Sequence, residues 1–280
     1  MKKKDSEKTI FVTQGNYYSN EMAKIYTGST QIKSFLQCES KAMAELNGEW
    51  QEETSKSMLV SSYIDAWMSD ELEEFKEQNP DIFLKNGELK ADYKLAENVI
   101  EQIKQDPIFM KYISGEHQVI MTGEISGVPV KIRIDSYFPG KAIVDLKCMS
   151  TLVPQWSEES HSKLNFCDAY RYTLQAALYQ EIVYQNTGKK LPFIIAVATK
   201  EKISRKALLE IPQHILDKEM QFLKEYLVHL NLVKTKQILP ESCENCDFCM
   251  SKKKVDGVWN YQDFFDKYYK QNWHPTNKMI

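Results

Sequence analysis

The chain has 280 residues, of which 42% are hydrophobic and 27% charged, and a formal net charge of −3. That length suits one large domain, or a core with a helical addition. No apolar run approaches the roughly 18 residues of a membrane span, and ten Gly with nine Pro are too few for a linker-rich chain. The mildly acidic balance neither marks nor excludes a nucleic-acid binder, because metal-binding carboxylates offset lysines locally. The opening MKKKDSEK is basic with no apolar stretch behind it, so a cytoplasmic location is expected.

In chain order, residues 1–28 are polar and patternless and read as a tail. A single domain is expected over 29–280: a helical part over 29–114, a core over 115–235 and a cysteine-containing segment over 236–280. Ser29 and Thr30 form a helix N-cap region before QIKSFLQCESKAMAELN, where Ile32, Phe35, Leu36 and Met43 fall at helical spacing. KSMLVSSYIDAWMSDELEEFKEQ reads as one further helix, NPDIFLKNGELK as a loop, and ADYKLAENVIEQIKQDPIF as a third helix ended near Asp106-Pro107.

The period then changes. From Glu116 to Ser150 apolar and polar residues alternate, broken at Ser126-Gly127 and Pro139-Gly140, which predicts three consecutive antiparallel strands. A strong helix over 168–187, a buried strand in LPFIIAVATKE and a helix near HILDKEMQFLKEYLVHLNLVKT follow. The expected architecture is α/β: a small central mixed sheet flanked by helices, with an N-terminal helical addition.

The chemistry concentrates on the second and third strands. Side chains switch faces with period two, so Asp145 and Lys147 share a face, and reversal near Pro139-Gly140 sets Asp135 nearly opposite Asp145. A cross-strand salt bridge is the ordinary explanation of such a pattern. Here the charges interrupt the apolar run IVDLK, where unexplained charge is costly. Two adjacent carboxylates repel unless a cation neutralises them, and Mg²⁺ or Mn²⁺ would suit. A metal there could polarise a phosphodiester, with Lys147 beside the attacking water.

IRID, followed ten residues on by IVDLK, resembles the core of the PD-(D/E)xK nuclease superfamily. Gln175 and Tyr179, four apart on the next helix, resemble the Q-x-x-x-Y motif of its RecB-like branch and RecE-type phage exonucleases (exodeoxyribonuclease VIII-like). The resemblance implies a restriction-endonuclease-like fold and a deoxyribonuclease acting on duplex ends in phage or prophage recombination. It also implies a single-strand annealing partner and a homo-oligomer. Under it, Asp135, Asp145 and the Leu146 carbonyl bind metal, Lys147 assists the water, and Gln175 and Tyr179 hold DNA. Glu116 would take an acidic position on the first strand. Asp65 falls where many relatives place a metal-binding His, and Ser61 or Ser62 replaces the usual Gly, so the sequence departs from the pattern there.

Cys243, Cys246 and Cys249 stand at two-residue gaps, a spacing that suits Zn²⁺ or an iron–sulfur cluster. Cys38 is the candidate fourth ligand, in a layout resembling that of Cas4-like and AddB-like repair nucleases. Free thiols without metal are the alternative. A catalytically idle DNA-binding protein on the same fold is a further alternative, against which the intact D…D-x-K pattern argues. Cys148 and Cys167 read as packing residues, and His117, His161, His214, His229 and His274 as structural or exposed. Trp156 and the aromatic tail (Trp259, Tyr261, Phe264, Phe265, Tyr268, Tyr269 and Trp273) are expected to pack on the core.

Overall fold

The alternating stretch forms β1 (Glu116–Ile125), β2 (Val128–Phe138) and β3 (Ala142–Met149), each antiparallel to the one before. In this computed structural model the described residues are 11–52, 55–157, 162–255 and 257–266. The first reversal is tight because Ser126 and Gly127 both take positive φ, 51° and 79°, as a two-residue hairpin turn of the right twist demands. After a short hairpin of β4 (Gln155–Ser157) and β5 (Ser162–Leu164), β6 (Phe193–Thr199) returns parallel to β3, and β7 (Lys206–Glu210) closes the edge. The result is the expected mixed sheet, five strands in the order β1-β2-β3-β6-β7. The sequence reading omitted β4, β5 and β7; β7 is a short edge strand whose residues stay half-exposed, so no apolar run marks it.

Eleven α-helices, besides two short 3-10 turns and a helical stretch over 261–266, lie among the described residues. Seven precede the sheet: α1 (Asn20–Ile25), α2 (Ser29–Gln37), α3 (Glu39–Asn47), α4 (Lys56–Met68), α5 (Leu72–Gln78), α6 (Ala91–Lys104) and α7 (Pro107–Ile113). The other four are α8 (Phe166–Ala169), α9 (Tyr172–Thr187), α10 (Gln213–Lys234) and α11 (Asp247–Lys252). Each sheet face covers its own core. Ile132, Ile143 and Ile195 pack with α9, α10 and α2 on one side, and Val144, Leu146 and Ala196 pack with α4, α6 and α7 on the other. Burying each of the Ile, Val and Leu side chains among them contributes about 1.5–3 kcal/mol.

Three helical expectations change in detail. The helix read across 29–47 breaks at Cys38, whose backbone is extended (φ −165°, ψ 110°) and whose Sγ caps α3 by accepting from Lys41 N at 3.4 Å. The helix read across 56–78 breaks at Ser69–Glu71, where Asp70 takes φ 60°, a conformation Asp tolerates better than most residues. Pro107 does not only end a helix. It opens α7 at a position that needs no N–H, with Asp106 Oδ1 capping Phe109 N at 3.0 Å.

The stretch before Ser29, read as a tail, is anchored from about Thr13 onward. Met22 is fully buried and Tyr17 nearly so. Thr27 N donates to Pro129 O at 2.8 Å while Lys131 N donates to Thr27 O at 3.1 Å, a parallel bridge onto β2. That bridge exists because β3 leaves β2 early: their ladder runs only from Phe138↔Ala142 to Ser136↔Val144. The open edge of β2 bonds Thr27 instead, and a cleft forms where the strands part. The aromatic residues behave differently from expectation: Trp156, Trp259, Tyr261, Phe264 and Phe265 are all exposed, with Phe265 touching both Tyr261 and Phe264. Tyr268, Tyr269, Trp273, His161 and His274 lie outside the described residues.

Candidate active site

Continuing the β2–β3 register by one step would pair Asp135 with Asp145. The ladder does not continue. Leu146 N donates to Asp135 Oδ2 at 3.0 Å, so a carboxylate takes the bond that a strand carbonyl would take. Asp145 is 2% exposed. Its Oδ1 accepts from Gln175 Nε2 at 2.7 Å. Its Oδ2 lies 2.6 Å from Lys147 Nζ but has no hydrogen bond of acceptable geometry. The ammonium is a close counter-charge there, not an aligned donor. These residues border a cavity of about 480 Å³ that Asp65, Tyr18, Arg133 and Gln118 also line.

The electrostatics follow from crowding acids in a half-closed space. Burial, then the charge of Asp145, push the Asp135 carboxyl up to about 8, against the opposing pull of Lys147. Asp65 is open to the cleft, yet the surrounding protein pushes its carboxyl up to about 6, with Lys147 opposing and Asp145 adding to the rise. Burial alone would lower Lys147, but Asp145 and Asp135 outweigh it and hold the ammonium firmly protonated. Asp135, Asp145 and Asp65 thus raise one another's cost of ionising, and a divalent cation among them would relieve that repulsion. The oxygen donors and the orphaned Asp145 Oδ2 suit a hard cation.

The chain matches the family described as a PDDEXK-like domain of unknown function (DUF3799) over residues 28–252. It belongs to that family. The crystal structure of a "Putative exonuclease" from Eubacterium rectale is 40% identical in sequence, with a TM-score of 0.86 over 91% of this chain and 98% of that one. No curated protein matches. The sequence resemblance to the PD-(D/E)xK nuclease superfamily and the expected restriction-endonuclease-like fold are thereby borne out.

In this PDDEXK-like chain α9 supplies more than a wall. It is buried on nearly all sides between sheet and α10, so Gln175 and Tyr179 are interior residues rather than a polar stripe. Gln175 Oε1 accepts from Lys33 Nζ at 3.1 Å, linking α2 to Asp145. Tyr179 donates to Arg133 O at 3.1 Å, with burial holding its phenol well above the ordinary range. Lys33 was not foreseen, because nothing local distinguishes a lysine on an amphipathic helix. Burial, then the charge of Lys147, lower it to about 7, and both ammonium groups sit over the Tyr172 ring, at 4.8 and 5.1 Å.

The other expected positions divide. Asp65 and Leu146 line the cleft. Glu116 does not: it is exposed at the start of β1, paired with Tyr137 in the ladder. Gln118, two residues on, lines the cleft instead, and no sequence signal pointed to it. His117 bonds the Ile113 carbonyl and His229 bonds Glu39, both structural roles.

A second donor set lies apart from this cleft. The Sγ atoms of Cys38, Cys243, Cys246 and Cys249 are all within 4.8 Å of one another. Among the described residues no other group of three or more His, Cys, Asp or Glu donors is gathered so closely. Cys38 Sγ lies 3.5 Å from Cys249 Sγ. Burial raises the Cys249 thiol, but hydrogen bonds led by Ser242 and Cys38 outweigh it and bring it down to about 6, while burial raises the thiols of Cys38 and Cys246. The C-terminal segment is held there by one backbone and one side-chain hydrogen bond: Ser40 N donates to Glu241 O at 3.0 Å and Glu241 N to Glu39 Oε2 at 2.9 Å.

Proposed function

We propose that this PDDEXK-like protein is a Mg²⁺- or Mn²⁺-dependent deoxyribonuclease that degrades DNA from duplex ends. The observation that carries this reading is Asp145: buried, fixed at one oxygen by Gln175, unbonded at the other, and beside both Asp135 and Lys147. Asp135, Asp145, Asp65 and the Leu146 carbonyl would hold the cation, which supplies charge for the phosphodiester and a more acidic bound water. Gln175 sets the Asp145 carboxylate, Lys147 steadies the attacking water and the charge on phosphorus, and Lys33 and Arg133 meet the phosphate backbone. The likeness to the crystal structure described as a "Putative exonuclease" supports action at ends. A cytoplasmic role in phage or prophage recombination, beside a single-strand annealing protein and with self-association, belongs to the same reading.

The thiol set supports a second, structural metal. A zinc–sulfur bond of about 2.3 Å places tetrahedral thiolates about 3.8 Å apart, close to the 3.5 and 3.9 Å separations of Cys249 Sγ from Cys38 Sγ and Cys243 Sγ. Zn²⁺ is therefore favoured over the larger iron–sulfur cluster. Metal analysis checks this: about one zinc per chain is expected, and iron with a visible thiolate-to-iron band would overturn it. For the activity, linear and covalently closed circular duplexes are incubated with protein and Mg²⁺. Loss of the linear form alone is expected, and nicking of the circle would make the protein an endonuclease.

A further inference from the structure

Gln118 holds a conformation that strands rarely contain. Its φ is 54°, and among the described non-glycine residues with positive φ it alone lies inside a strand; the others sit at turns or helix ends. The β1–β2 ladder pairs His117 with Ser136 and Val119 with Ile134, but not Gln118 with Asp135, which the register would place opposite each other. A left-handed backbone costs a residue with a Cβ about 1–2 kcal/mol. The surroundings enforce it: Gln14 Nε2 donates to Gln118 O at 2.5 Å, and Gln118 Nε2 donates to Ser69 Oγ at 2.7 Å. The Ser69 hydroxyl is committed to Asp65 O at 3.0 Å, so it accepts from Gln118, and this fixes which way the amide faces.

The remaining atom has no partner. Gln118 Oε1 is buried and makes no hydrogen bond, in a residue 9% exposed that lines the cleft with Asp65, Asp135 and Asp145. A buried acceptor left unpaired costs about 1–3 kcal/mol. Ionised carboxylates of the cleft, the form that would bind a cation, only accept and cannot satisfy it. The water on a divalent cation is a strong donor, and Mg²⁺ keeps several of its waters when bound by protein. A neutral amide also adds an acceptor without a fourth negative charge.

We propose that Gln118 is a positioning residue whose Oε1 holds a water in the coordination shell of the active-site cation, an inference that rests on the metal-nuclease reading. The test is Mn²⁺ titration calorimetry on wild type, Gln118→Gly and Gln118→Glu, with metal-free melting as control. Glycine accepts positive φ freely, so Gln118→Gly is expected to keep its fold while losing about 10- to 100-fold in Mn²⁺ affinity, the usual cost of removing such a partner. Gln118→Glu keeps an acceptor, adds charge, and is expected to bind at least as tightly as wild type. Affinities within about twofold across all three proteins would overturn the proposal and leave Gln118 a strand strap. If Gln118→Gly does not fold, a Gln118→Glu affinity weaker than wild type overturns it alone. Wild type that binds no Mn²⁺ at the cleft would remove the metal-nuclease reading itself, a different and distinguishable result.

Discussion

The acidic cleft and the cysteine set are both candidate metal centres, and they are built in opposite ways. The cleft draws Asp135 and Asp145 from adjacent strands just where their ladder ends, and both line an open cavity. The cysteines join residues 211 apart in the chain and gather their donors within 4.8 Å. Oxygen donors, a half-open cavity and shifted carboxyls suit a hydrated cation that must also meet a substrate. A closed thiol set suits a metal that only staples the fold. Under the proposed function, the open donor set does the chemistry and the tight one holds the fold together.

Substitutions can break that contrast. Asp145→Asn should lower DNA hydrolysis by on the order of 10³-fold, the loss of several kcal/mol of charge stabilisation, with an unchanged far-ultraviolet circular dichroism spectrum. Lys147→Ala should cost about 10²–10⁴-fold in single-turnover rate. Cys249→Ser should do the reverse. Opening a clip of this span costs on the order of 4–5 kcal/mol, read as a melting temperature lower by about 10 °C, while Mn²⁺ affinity at the cleft stays near that of wild type. If Cys249→Ser abolished cleft binding in folded protein, the two centres would not be independent.

A pH titration sharpens the contrast further. Asp135 is pushed up to about 8, so in the metal-free fold it binds a proton that the unfolded chain has already released. Its contribution is present below the unfolded carboxylate value and is lost as pH rises toward 8, so metal-free stability should fall across that window. The cation competes with that proton. Mn²⁺ affinity measured by calorimetry should therefore rise between about pH 6 and about pH 8, by up to about tenfold per unit. The smallest effect is expected of Glu116→Ala, which should leave rate and stability nearly unchanged because Glu116 is exposed outside the cleft.

Much of the cleft was legible because strands write their faces with period two. Asp135, Asp145 and Lys147 could be set together from the turn at Pro139-Gly140 alone, and the spacing of Gln175 and Tyr179 put both on one helix face. Residues placed by an unusual backbone angle or by a remote partner left no such mark. Gln118 is distinguished by its φ and by an unpaired oxygen, and Lys33 by a partner 142 residues away. The break at Cys38 was hidden for a related reason: helical periodicity runs on through it, while its extended backbone belongs to an N-cap whose thiol bonds Lys41 N and meets the remote thiols of the C-terminal segment. The packed residues before Ser29 were missed because their role is to fill a gap that opens only once β3 diverges from β2.

The central claim is metal-dependent hydrolysis of DNA at the Asp135/Asp145/Lys147 cleft. The direct measurement is release of nucleotides from end-labelled linear duplex by purified protein, with Mg²⁺, with Mn²⁺ and with chelator, beside Asp145→Asn. Release that needs the divalent ion and disappears in the variant is the predicted result. No release with either ion, or undiminished release by Asp145→Asn, would contradict the account.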